Sequence, residues 1–154
     1  MRITLTINGK KKLLDIPANR TLIDLLRAQN FWSVKHGCET GECGSCAVIV
    51  NGMVVNSCMM LAAQVDGKSI ETLERLGTAE DIQSLREAFE DFGTVECGHC
   101  VPGMIISVKA LLDKNSEPTE GELREALAGN LCHCTGNAKP IQSLVKSVKK
   151  MLNK

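Results

Sequence analysis

Residues 36–46 read HGCETGECGSC, and two further thiol groups follow downstream as VECGHCVPG at 95–103 and NLCHCTGN at 130–137. The eight cysteines of the 154-residue chain therefore divide evenly. Cys38, Cys43, Cys46 and Cys58 lie in the first half, and Cys97, Cys100, Cys132 and Cys134 in the second. In a reducing compartment such groups point to metal or redox chemistry rather than to a disulfide framework. Two four-thiolate sites are expected. Each half is only about 75 residues long, a size at which a bound metal centre adds needed stability, so that metal binding becomes part of folding.

In the first group Cys38, Cys43 and Cys46 form CxxxxCxxC, the spacing of a plant-type 2Fe-2S cluster, with Cys58 available as the fourth ligand. Gly37, Gly41 and Gly44 suit a backbone that must curl around an inorganic core with its amides turned toward sulfur. In the second group Cys97 and Cys100 pair with Cys132 and Cys134 near the starts of two predicted helices. Spacing alone leaves tetrahedral zinc open at this second site. A Rieske centre does not fit, because no CxxH follows Cys97-Gly98-His99. With four thiols already at the site, His99 and His133 are read as neighbours of the metal and His36 as a loop or packing residue.

The segments between the thiols change character halfway along the chain. Ile3, Leu5 and Ile7 alternate with polar residues, Asn8-Gly9 supplies hairpin turn chemistry, and Lys12 to Ile16 forms a second extended run. Thr21 opens a helix carrying Leu22, Ile23, Leu25 and Leu26, with Asp24 in the position of a capping-box acid. Ala47 to Val50 and Met53 to Val55 flank Asn51-Gly52, and Ser69 to Leu73 offers one more strand. Beyond Leu76-Gly77 the periodicity is helical, through Ile82, Leu85, Phe89 and Phe92, then Ile105, Ile106, Val108, Leu111 and Leu112 behind Pro102. Thr119 and Glu122 make a capping box for a helix ending near Gly129, and Pro140 starts a last helix with Ile141, Leu144, Val145, Val148 and Leu152 on one face. A small mixed sheet packed on one helix is expected, followed by a bundle of about four helices. The boundary is expected at residues 74–80.

Eighteen basic residues balance eighteen acidic ones, so no polybasic arm suggests a nucleic acid or an anionic lipid surface as partner. No apolar run approaches the roughly 20 residues of a membrane span, and Met1-Arg2 leads directly into the first strand pattern, so a cytoplasmic protein is expected. Oxidised clusters of about −2 each would bring the loaded chain near about −4.

The full order of these motifs, CxxxxCxxC, a further Cys after a short hairpin, CGxC followed by Pro-Gly-Met, and GNLCxCTG, resembles the iron-sulfur subunit of molybdenum hydroxylases. That group comprises xanthine dehydrogenases, aldehyde oxidoreductases and aerobic carbon monoxide dehydrogenases. The resemblance covers essentially the whole chain and implies an α+β protein. A plant-type ferredoxin-like β-grasp domain at 1–76 would precede an all-α four-helix domain at 77–154, each binding one of two 2Fe-2S clusters. It assigns Cys38, Cys43, Cys46 and Cys58 to the outer cluster, and Cys97, Cys100, Cys132 and Cys134 to the cluster nearer molybdenum. Substrate would be oxidised at a molybdopterin centre in a large partner subunit, and electrons would leave one at a time through the clusters to a subunit holding FAD or to another acceptor. The chain itself would hold neither substrate nor a catalytic acid or base.

Glu96 and Cys134 are the positions the resemblance turns toward the pterin. Glu96 stands where the family usually has Gln, and an ionised carboxylate accepts hydrogen bonds but donates none. His133 replaces a usual Arg, Asn137 a usual aromatic residue, and Val101 a usual Thr. These departures surround the inner site, so an altered molybdenum partner is expected. The alternatives are a free-standing iron-sulfur carrier or regulatory protein and a zinc-stapled interaction module, whose hallmark would be a colourless protein.

Overall fold

The computed structural model describes residues 1–76, 80–91, 95–136, 141–142, 145–146 and 148–150. Phe92, Asn137, Pro140, Leu144 and Leu152, singled out above, lie outside the described residues. Strands β1 (Arg2–Ile7) and β2 (Lys10–Asp15) pair antiparallel from Ile7↔Lys10 to Arg2↔Asp15. Asn8 and Gly9, at φ 51° and 79°, form the turn between them, with positive φ at both central residues as a tight hairpin requires. The same chemistry at Asn51-Gly52 joins β3 (Ala47–Val50) to β4 (Met53–Asn56). Strand β5 (Ser69–Glu71) then lies between the hairpins, parallel to β1 and antiparallel to β3. The result is a five-stranded mixed sheet in the order β2-β1-β5-β3-β4.

Helix α1 (Leu22–Ala28) buries Leu22, Ile23, Leu25 and Leu26 against Ile3, Leu5, Ile7, Val48, Val50 and Ile70 of the sheet. Thr21 caps it by accepting from the Asp24 amide, while the Asp24 carboxylate takes the Thr21 hydroxyl at 2.6 Å rather than the Thr21 amide a full capping box would use. Residue parity in β3 links the two halves. Its even positions Val48 and Val50 join the sheet core, and its odd positions Ala47 and Ile49 point into the helical core, because successive strand side chains face opposite ways.

The expected run from Ser69 to Leu73 is a strand only to Glu71. Leu73–Leu76 winds into a short helix, α2, whose Leu73 and Leu76 pack with the helical half. Helix α3 (Glu80–Asp91) buries Ile82 and Leu85, and helix α4 (Val101–Leu112) runs through the centre of the bundle with Gly103 to Val108 all buried. Helix α5 (Glu120–Leu127) opens with the complete Thr119/Glu122 capping box. The described residues between 141 and 150 are helical, and Val145 and Val148 complete the core. Met104 and Ile105 are core residues, whereas Met59 is 61% exposed.

Candidate metal centres

The first thiol group occupies the loop between α1 and β3. Cys38 Sγ accepts from the amides of Thr40, Glu42 and Cys43 at 3.4, 3.3 and 3.3 Å, and Cys43 Sγ accepts from the Cys38 amide at 3.4 Å. The Thr40 hydroxyl and the amides of Thr40 and Cys43 bring the half-buried Cys38 thiol down to about 6. The backbone is therefore shaped to receive sulfur carrying negative charge. Gly37 has no room for a side chain, since a Cβ there would come within 2.5 Å of Cys43 Sγ. Cys58 reaches the loop from a 3-10 turn at Ser57–Met59, which Ser57 ties to the carbonyl of Cys46 through its hydroxyl at 2.7 Å and its amide at 3.3 Å. Asn56 Nδ2 donates to the Gly41 carbonyl at 2.9 Å, so the end of β4 braces the loop from the other side.

The second group is assembled by helix ends. Cys97 and Cys100 lead directly into α4, with Cys100 as its cap residue, and Cys132 and Cys134 follow α5. Cys97 and Cys134 are exposed with their sulfurs 3.6 Å apart, while Cys100 and Cys132 are buried. In the second group each close pair splits its thiols in opposite directions, Cys100 up and Cys132 down, Cys134 up and Cys97 down. Burial and the adjacent Cys132 push Cys100 up to about 12, and burial with Cys46 beside it pushes Cys58 up to about 11. The His99 amide and the Cys134 thiol lower Cys97, whereas Cys134 is raised by Cys97. Pairs of thiols that share protons are suited to surrendering them together to a metal centre.

A 2Fe-2S cluster distributes four thiolates two to each iron. The pairing of Cys97 with Cys134, of Cys100 with Cys132, and of Cys46 with Cys58 fits that division. The donor set is all sulfur, and the first loop already offers amides to it. The residues fit the group.

The two sites share one space. A cavity of about 530 Å³ is lined by Cys38 and Cys43 of the first group and by all four thiols of the second. The chain's three histidines, His36, His99 and His133, also line it. His36 lies in a loop, one of the two places expected for it, and its position in the same cavity as His99 and His133 was not legible because those segments are distant in sequence. Its Nδ1 lies 2.7 Å from Glu39 Oε1, and its Nε2 is 3.7 Å from Asp24 on α1. Glu96 is exposed beside Cys97, and Val95 and Leu131, next in sequence to Glu96 and to Cys132, are exposed apolar residues.

The comparisons agree along the whole length. Residues 5–76 match the family described as "2Fe-2S iron-sulfur cluster binding domain", and residues 72–145 the family described as "[2Fe-2S] binding domain". The nicotinate dehydrogenase small FeS subunit of Eubacterium barkeri is 49% identical over 89% of this chain and 88% of its own length. The xanthine dehydrogenase iron-sulfur-binding subunit of Escherichia coli O157:H7 is 44% identical over 86% of each chain. Among solved structures, a chain of quinoline 2-oxidoreductase from Pseudomonas putida 86 superposes with a TM-score of 0.88 at 37% identity, over 99% of this chain and 96% of that one. These matches decide for iron-sulfur over zinc at the second site. Two 2Fe-2S-binding domains in this order, with similarity over most of the chain to dehydrogenase small subunits, make this chain a member of the iron-sulfur subunit family of the molybdenum hydroxylases, of xanthine dehydrogenase and aldehyde oxidoreductase type.

Proposed function

We propose that this chain is the electron relay of a molybdopterin-dependent hydroxylase, passing electrons singly from a large partner subunit toward a flavin subunit or another acceptor. Cys38, Cys43, Cys46 and Cys58 hold the outer cluster in the domain at 1–76. Cys97, Cys100, Cys132 and Cys134 hold the inner one in the domain at 77–154. When bound, each cluster accepts and releases one electron at a time. The chain's own residues do the rest. They fix the four sulfurs of each site, direct amides at Cys38, and exclude water from Cys43, Cys46, Cys100 and Cys132.

The cavity shared by both thiol groups carries this reading, because a one-electron relay needs its two centres held near each other by rigid protein. The exposed face around Cys97, Cys134, Glu96, Val95 and Leu131 is where the large subunit docks, with Glu96 and Cys134 turned toward its pterin. Glu96 offers that partner an acceptor in place of an amide donor, which suits a pterin pocket of altered hydrogen-bond polarity. No described helix is long and apolar enough to cross a membrane, and the reading places the complex in the cytoplasm.

The test is to isolate the complex through a tag on this chain and count iron, molybdenum, zinc and flavin against protein. About four iron per chain with molybdenum in the same particle is the expected result. Iron without molybdenum would instead make the chain a free-standing carrier.

A further inference from the structure

The turn after Cys132 closes with the Gly136 amide donating to the Cys132 carbonyl at 3.1 Å, and it carries Thr135 back over the thiol of Cys132. The Thr135 hydroxyl donates to Cys132 Sγ at 2.9 Å. Thr135 is half-buried and β-branched, so few rotamers are open to it and the hydroxyl is held in place. Cys132 is only 9% exposed. A fixed hydroxyl donor at this buried sulfur counts for more than one in solvent would, because a hydrogen bond away from water is electrostatically stronger.

We propose that Thr135, acting through Cys132, sets the reduction potential of the inner cluster and raises it. The inference rests on the assignment of Cys132 as a ligand of that cluster. Reduction adds one negative charge to the cluster, and part of it falls on the ligand sulfurs. A hydroxyl aimed at one of them strengthens its hydrogen bond in the reduced state, stabilises that state, and makes the cluster a better electron acceptor.

The experiment compares wild type, Thr135→Val and Thr135→Ser in the complex isolated through this chain. Iron is counted first, and both clusters are then followed by potentiometric titration read by electron paramagnetic resonance, with the outer cluster as internal reference. Thr135→Val is expected to lower the reduced-to-oxidised ratio of the inner cluster about tenfold at a fixed potential, a shift of about 59 mV for one electron. Thr135→Ser is expected to restore most of it, and the outer cluster should not move. An unchanged inner potential in Thr135→Val, an equal shift of both clusters, or a serine variant that fails to recover would overturn the proposal. Loss of the inner cluster from both variants would do the same, since it would make Thr135 a structural residue. Fewer than two clusters in the wild type would refute the ligand assignment instead.

Discussion

The carbonyl of Cys43 accepts a hydrogen bond from the amide of Leu131 at 2.9 Å. Cys43 belongs to the first thiol group, and Leu131 immediately precedes Cys132 of the second. One main-chain hydrogen bond thus joins the two sites across 88 positions of sequence, counted from 43 to 131. Close packing holds it. Gly44 meets Gly103 of α4 so tightly that a Cβ on Gly103 would lie 2.2 Å from the Gly44 carbonyl oxygen, and one on Gly44 would lie 2.4 Å from that of Gly129. Asn130 seals the junction, its amide donating to the Gly44 carbonyl at 3.3 Å and its oxygen accepting from the buried Ser107 hydroxyl at 2.8 Å.

Gly103→Ala is expected to force the first loop off α4, because the atom in the way is backbone and cannot rotate aside. Overpacking of this kind costs about 1–3 kcal/mol. A lower urea midpoint for loss of the visible cluster absorbance is the expected observation, and an unchanged midpoint would show that the junction yields freely.

Asn130→Ala removes both bridges and leaves the buried Ser107 hydroxyl and Gly44 carbonyl without those partners. The expected loss is about 1–3 kcal/mol. It should appear as a lower denaturation midpoint with little change in the dependence on denaturant, since the surface exposed on unfolding stays the same.

Cys97→Ser separates the two sites. Iron is expected to fall from about four to about two per chain, with the outer cluster's spectrum retained. Cys38→Ser should give the complementary loss. If either substitution removes all iron, the sites do not load independently.

Glu74 provides a pH test away from the thiols. Desolvation pushes its carboxyl up, but the Ser33 and Thr72 hydroxyls and the Ser33 amide, at 2.6, 2.5 and 2.8 Å, outweigh it and hold the group below its ordinary value. A depressed folded-state value contributes stability above the unfolded value of about 4.5, and that contribution is lost as the pH falls through the folded one. Glu74→Gln should therefore lie about 0.5–1 kcal/mol below wild type at neutral pH, a figure reduced for solvent screening at this exposed site, and should converge with it on acidification. Thermal denaturation of both proteins between roughly pH 3 and 7 checks this, and a constant gap would refute it.

Much of the fold was legible because its signals are local. The Asn-Gly turns, the Thr119/Glu122 box and the alternation of Ile3, Leu5 and Ile7 each depend on residues a few positions apart. The CxxxxCxxC spacing is equally local, since one loop must wrap one inorganic core. The parallel pairing of β1 with β5 was not legible, and neither was the helical turn at Leu73–Leu76, where packing against the bundle ends the strand.

Sequence by itself determined that the chain carries two four-thiol groups, one in a sheet-forming half and one in a helical half. Tertiary structure decided how those groups face each other. The parity of β3 assigns Ala47 and Ile49 to the helical core, Gly44 and Gly103 permit contact between backbones, and the Cys43 carbonyl meets the Leu131 amide, enclosing one cavity with three histidines. Each of these depends on residues brought together from distant parts of the chain. A main-chain carbonyl carries no side-chain signature, so its partner becomes visible only when the two halves have packed.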